Sequence, residues 1–262
     1  MFKQPQLQIG RDYTPLPPTS STSSPEEEDD GCLRFLIRRD PHGEVSRYLH
    51  ALELGSTVEV RGPKVEFAIP SETQEILFIA GGTGIAPAVQ AGHSLLTHAS
   101  RTSTPRIHIL WASRKREDCA GGVNDTQPTI PKKGSWLGGW FGRAPETSSP
   151  PTTRSQREEN ACPMVRDLED LKAQFPNQVK VDYFVDEENS LISKQTILDS
   201  VKSSPSPSGN SPGSKFIIVS GPDGFIRYMA GEKIWAQGSE LQGPLQGILK
   251  ELDLKDWAVW KL

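Results

Sequence analysis

The sequence predicts an α/β protein: antiparallel strands over residues 1–70, then a five-stranded parallel sheet over residues 71–262 with helices on both faces. Three observations predict it. From residue 75 onward, five short apolar runs alternate with segments of helical periodicity. That alternation makes a parallel sheet covered on both sides. Before residue 75 the runs are shorter and separated by turn residues, as antiparallel strands are. A glycine-rich turn joins the first continuous apolar run directly to a helix.

The first 70 residues are expected to hold strands at 7–13 (LQIGRDY), 33–39 (LRFLIRR) and 57–62 (TVEVRG), with Lys3, Leu7 and Ile9 in the middle of a strand. Leu33, Phe35 and Ile37 alternate with Arg34, Leu36 and Arg38, which suits a half-buried strand. Val45, Tyr48, Leu49 and Leu52 share one face of a helix over 44–52. In the second part, strands are expected at 75–80, 106–112, 180–185, 215–220 and through the final DWAVWKL. Helices are expected at 87–99, 164–175, around SKQTILDSV, and over GFIRYMAGEKIW. Val165, Leu168, Leu171 and Phe175 line one face of the second. Residues 19–31, 120–162 and 203–214 are polar or rich in Gly, Pro, Ser and Thr, and are read as a loop, a disordered insert and a flexible linker.

Composition excludes several function classes. The 262 residues carry a net charge of −4, so no overall basic surface points to nucleic acid. Cys32, Cys119 and Cys162 are too dispersed for a zinc site or a disulfide framework. His42, His50, His93, His98 and His108 have no ligand-like spacing, and no metal is expected. No apolar run is long enough to span a membrane. The first residues read as neither a signal nor a transit peptide.

Four motifs carry chemistry. In FIAGGTGIAPAVQ, a strand runs into Gly81, Gly82, Thr83 and Gly84, and Pro87 sits where the next helix begins. Glycines allow close backbone approach, and free amides at a helix start favour phosphate. In RDYTP, Arg11 and Tyr13 fall on one side of a strand beside Thr14. Arg11 could pair with a pyrophosphate, Tyr13 could lie against an aromatic ring, and Thr14 offers one hydrogen bond; alone, it is an ordinary surface strand. In HGEVSRYL, Gly43 precedes a helix whose first amides lie near Glu44, Val45 and Ser46, although Ser46 also suits a plain first-turn serine. In IIVSGPDGF, a strand ends in Ser220, Gly221 and Pro222 before a helix. Two such turns at strand carboxyl ends suggest a nucleotide site between them.

In this order and spacing, the four motifs resemble the ferredoxin–NADP reductase superfamily, in its cytochrome-b5-reductase-like branch. RDYTPLPP, GEVSRYLHAL and WAVWKL are similar to fungal mitochondrial flavoproteins of cytochrome c maturation. The resemblance implies an FAD-binding β-barrel domain over 1–70 and an NAD(P)-binding domain over 71–262. It implies an oxidoreductase that passes electrons from NAD(P)H through FAD to a haem or iron-protein acceptor, at the mitochondrial inner membrane. It assigns Arg11, Tyr13, Thr14, Arg38 and residues 43–46 to FAD. It places Thr83 between flavin and nicotinamide, with Gly81, Gly82, Gly84 and Pro87 shaping the cleft. It sets Ser220, Gly221 and Pro222 beside the nicotinamide, and Ser113, Arg114 and Asp118 near the adenosine ribose. Thr14, Thr83 and Ser220 are the implied catalytic residues.

Ser220 stands where the family has cysteine, which keeps size and one hydrogen bond but puts the rate of hydride transfer in doubt. The R-x-Y-T strand lies about midway along the family's barrel, so the barrel is expected to be incomplete. An open barrel leaves unpaired edges and a small core. The alternative function is therefore a non-catalytic nucleotide-binding remnant that has lost FAD. For the nucleotide, Asp118 opposes a 2′-phosphate whereas Arg114, Lys115 and Arg116 attract one; the reading leans toward NADH with relaxed selectivity.

Residues 135–142, SWLGGWFG, place Trp136, Leu137, Trp140 and Phe141 between Lys132, Lys133 and Arg143. Such rings favour membrane interfaces or partner grooves. Replacing Trp136 and Trp140 by serine should weaken both liposome co-sedimentation and partner pull-down with reductase activity retained. No change in either assay would leave 135–142 as a linker only.

Overall fold

The computed structural model describes residues 1–18, 31–98, 104–126, 160–202 and 213–262. The expectation for 135–142 lies outside these residues, as do most of the loop at 19–31 and the linker at 203–214.

The antiparallel region contains β1 (Phe2–Gln4), β2 (Ile9–Arg11), β3 (Pro15–Leu16), β4 (Arg34–Phe35), α1 (Glu44–His50) and β5 (Glu59–Val60). β1 pairs with both β2 and β5, placing Phe2 opposite Arg11 and Val60. The single strand expected through Lys3, Leu7 and Ile9 is instead a hairpin, with Gln4 opposite Ile9. Pro5 has no amide to donate, and Gln8 takes a φ of 57°, so the chain reverses there. β3 pairs separately with β4. The Phe2 ring joins the two pairings, edge-on to Tyr13 at 5.7 Å and to Phe35 at 4.8 Å.

The second part contains β6 (Glu75–Gly81), α2 (Ile85–Thr97), β7 (Arg106–Ser113), α3 (Pro163–Gln174), β8 (Val179–Val185), α4 (Lys194–Lys202) and β9 (Lys215–Ser220). There follow α5 (Asp223–Ala230), β10 (Ile234–Ala236), β11 (Ser239–Leu241), α6 (Gly247–Lys250) and β12 (Ala258–Lys261). Five strands form one parallel sheet in the order β12-β9-β6-β7-β8, as the alternating pattern predicts. The chain builds from β6 outward to β8, then returns to the other flank of β6. The order therefore reverses between β6 and β9, and ligands of open α/β sheets collect at that point.

Alternation along each strand makes two cores. Ile76, Phe78, Ile107, Ile109 and Ile218 meet α2 and α3, whereas Leu77, Ile79, Leu110, Ile217 and Val219 meet α4, α5 and α6. Burial on both faces is why these strands read as continuous apolar runs. One expected helix is shorter than its pattern. The run GFIRYMAGEKIW leaves the helix at Ala230, where Gly231 takes a φ of 86°, and continues into the β10–β11 hairpin. Gln237 and Gly238, both at positive φ, make its turn.

The outer edge of β8 is covered by residues 124–126. The Asn124 side-chain oxygen accepts from the Tyr183 amide, and Asp125 exchanges hydrogen bonds with Val181. The other end of the insert returns beside its start, with the Cys162 amide donating to the Ala120 carbonyl at 3.0 Å.

Within the sheet, the buried Asp182 carboxylate accepts from His108 Nε2 at 2.8 Å and from the amide and hydroxyl of Thr126. Burial by itself would raise this carboxyl, but the hydrogen bonds from His108 and Thr126 hold it below its ordinary value. A carboxyl depressed on folding adds stability above its unfolded pKa, roughly 3.9, and loses it as pH falls through the folded value. Asp182→Asn should therefore cost about 1–3 kcal/mol at pH 7. The gap should narrow below about pH 4 in thermal melts, and an equal gap at both pH values would contradict the ionised assignment.

Candidate functional site

The carboxyl edge of the sheet brings the two glycine-containing turns together. β6 ends at Gly81, a 3-10 turn spans Gly82–Gly84, and α2 starts at Ile85 with Pro87 in its first turn. Ala80 pairs with Ser220, so the turn at Ser220, Gly221 and Pro222 lies beside it. The approach is backbone to backbone. A Cβ on Gly84 would sit 2.9 Å from the Gly221 nitrogen and closer still to the Ser220 carbonyl. Gly82 differs: its φ is +54°, and nothing lies within 4 Å of the place a Cβ would occupy. Ser220 is buried, and the neighbouring Thr83 is exposed.

At the end of β7, Ser113 is buried and Arg114 exposed. The charges that follow are largely matched within the protein. Arg116 forks onto Glu188, with Nε 2.7 Å from Oε1, and Lys115 reaches Glu117 at 3.0 Å. Asp118 Oδ2 lies 3.6 Å from Arg38 Nη1, which links the antiparallel region to this loop. Among the described residues, Arg114 is the cation of this loop without an ion pair.

The remaining candidates lie in the antiparallel region. Arg11 is exposed and donates to its neighbouring Gly10 carbonyl at 3.1 Å. Tyr13 is half-buried against Phe2; burial pushes its phenol up, with Arg11 opposing. Thr14 leads into β3, which packs along α2. Gly43 and Glu44 open α1, where Val45 and Ser46 are buried. The Ser46 hydroxyl accepts from the Asp40 amide at 3.1 Å and donates to the Gly43 carbonyl at 3.2 Å, so it acts as a local tie. A small cleft lined by Pro17, Arg34, Val89, His93, Asp167 and Leu171 opens further along α2, away from the carboxyl edge.

Comparison with known proteins accords with this arrangement. The family model for an oxidoreductase FAD-binding domain matches residues 2–69. An NADH-cytochrome b5 reductase 2 of Lodderomyces elongisporus is 25% identical over 262 residues, covering 96% of this chain and 66% of that protein. NADH-cytochrome b5 reductase 2-A of Vanderwaltozyma polyspora is 23% identical over 250 residues, covering 92% and 63%. The CS-b5R domains of human Ncb5or, solved in an NAD+ form, share the fold at a TM-score of 0.56 and 16% identity, over 99% of this chain and 58% of that one. These likenesses support a relation to the ferredoxin–NADP reductase and cytochrome b5 reductase-like superfamily. It spans 63% and 66% of the two yeast relatives' lengths.

The residues present fit FAD and a nicotinamide nucleotide. The open space over Gly82, beside exposed Thr83, is a cradle that any Cβ would fill. Arg11, Tyr13, Thr14 and Arg38 form a donor set of the chemistry an FAD phosphate and ring require. Sequence reasoning missed two residues. Trp111, read only as part of an apolar strand, donates its indole N–H to the Gly82 carbonyl at 3.0 Å. Phe225 packs its ring on Gly81. An aromatic residue near the end of a buried strand was the available signal for the first; the second had none.

Two glycines near this edge differ in the room beside them. Gly84→Ala must displace the Ser220 backbone and should lower thermal stability by about 1–3 kcal/mol, as overpacking does. Gly224→Ala, in α5 with nothing within 4 Å, should be neutral or stabilising by up to about 1 kcal/mol. Equal melting temperatures for the two variants would contradict the close approach.

Proposed function

We propose that this chain binds FAD and NAD(P)H and passes electrons from the nicotinamide nucleotide to a haem or iron-protein acceptor. The observation that carries the reading is the pair of turns at the β6–β9 reversal, with open space over Gly82 and Thr83 exposed beside it. When bound, the two cofactors supply the hydride and electron chemistry. The protein's part is to bind, orient and exclude water. Gly82 lets the nucleotide approach the backbone, and the Thr83 and Ser220 hydroxyls offer hydrogen bonds at the nicotinamide. Arg11 and the first amides of α1 neutralise the FAD pyrophosphate, and Tyr13 and Thr14 hold the flavin side. Ser113, Arg114 and Asp118 receive the adenosine ribose.

The finer part of the proposal is a role in mitochondrial cytochrome c maturation at the inner membrane. It is supported by the likeness of RDYTPLPP, GEVSRYLHAL and WAVWKL to fungal proteins of that process. Import into isolated mitochondria, and a cytochrome c maturation defect on deletion, would test it.

Purified protein supplied with FAD should show flavin absorbance that bleaches on adding NADH, and should then reduce a haem protein. NADH should be used severalfold better than NADPH, because Asp118 opposes a 2′-phosphate and Arg116 is held in a fork on Glu188. Arg114→Ala should reduce residual NADPH use more than NADH use in steady-state assays. NAD+ binding without flavin would favour a non-catalytic nucleotide module, and binding of neither would end the proposal.

A further inference from the structure

The glycine turn is held from beneath by a residue outside any glycine motif. Trp111 is 2% exposed, opposite Ala80 in the sheet, with its indole N–H on the Gly82 carbonyl. The same carbonyl accepts the Ile85 amide, so both its lone pairs are engaged. The indole cannot swing away freely. It lies 5.8 Å from the Tyr183 ring, tilted by 50°, and both rings are buried in the core beneath α2 and α3. Close packing there resists rotation.

A consequence follows from peptide geometry. The peptide between Gly82 and Thr83 is planar and trans, so its N–H points opposite to its carbonyl. With the carbonyl anchored on Trp111 inside the sheet, the Thr83 amide is directed outward, where Thr83 is exposed and the space over Gly82 is open. A glycine at φ +54° has alternative conformations within reach, and without the indole the Ile85 amide alone would hold the Gly82 carbonyl.

We propose that Trp111 is a positioning residue for the nicotinamide half of bound NAD(P)H. Its indole N–H fixes the orientation of the Gly82–Thr83 peptide and so the direction from which Thr83 meets the ring. The proposal rests on the function proposed above. It also separates Trp111 from a core residue, because only the orientation of one peptide depends on the indole nitrogen. The adenosine half of the nucleotide should be indifferent to it.

Trp111→Phe keeps an aromatic ring in the core and removes the donor. Calorimetric titration with NAD+ should show binding weakened about five- to tenfold, the worth of one hydrogen bond. Titration with ADP-ribose, which lacks the nicotinamide, should be unchanged within about twofold on the same scale. In turnover assays, KM for NADH should rise more than kcat falls. Should the variant fold poorly, the Trp111 indole N–H can be followed by 15N NMR in the unaltered protein, assigned through Phe replacements at the other tryptophans. That signal should move on adding NAD+ and stay in place on adding ADP-ribose. Equal weakening of both ligands, or an altered melting temperature with neither affinity changed, would overturn the proposal. An unaltered protein that binds ADP-ribose but shows no added response to NAD+ overturns it too. If the unaltered protein binds neither ligand, the functional reading fails, and the positioning role fails with it.

Discussion

The contact on which the carboxyl edge depends is the one made without side chains, where the backbone of Gly84 passes the carbonyl of Ser220. Two parallel strands can pair at the usual spacing with any residues, but their following turns can share one edge only if one of them carries no Cβ. That closeness sets where α2 and α5 begin, on opposite faces of the sheet. Beside it, the space over Gly82 stays open. The hydrophobic cores hold the sheet together, yet the glycine–serine crossing decides the shape of the surface a ligand would meet.

The antiparallel region is joined to this sheet by ties of unequal strength. Phe67 stacks on Trp260 at 4.6 Å and touches Phe216, which carries apolar area into the main core. Lys233 bridges Glu66 and Glu240; burial opposes its charge, but the two carboxylates raise it above its ordinary value. Arg34 reaches Asp167 at 3.2 Å and the Pro17 carbonyl at 2.7 Å, and burial raises the Asp167 carboxyl against that cation's pull. By contrast, half of the Arg38 side chain is exposed, and such a pair contributes about 0–1 kcal/mol. The aromatic stack therefore holds the regions together, and the Arg38–Asp118 pair adds little to it.

The parallel sheet was legible because burial on both faces leaves an unmistakable apolar run at β6, β7, β8 and β9, each ended by a turn residue. The glycine turn was legible for the same reason, since its strand and helix were both evident. Two kinds of feature were hidden. Gly231 sits where a helical pattern continues through Trp235, and nothing in the residue types shows that its φ is positive. The pairing of Arg38 with Asp118 and the indole bond of Trp111 join residues 80 and 29 positions apart, and no local periodicity reports such contacts. At Pro5 the sequence carried the breaker, but the strand reading through Lys3, Leu7 and Ile9 passed over it; the missing amide decided the matter in the fold.

The covering of β8 by Asn124 and Asp125 bears on how this chain tolerates change in length. A sheet edge normally invites another strand, and here its amides are already capped by side-chain oxygens from the segment that departs from it. Because the Ala120–Cys162 bond brings the return close to the departure, whatever lies between leaves and re-enters at a closed stem. Loop-closure entropy grows only slowly with length, each doubling costing about 0.6 kcal/mol. The stem is thus a natural graft point, where sequence could be gained, lost or exchanged among descendants while the nucleotide edge at the opposite flank of β7 keeps its geometry.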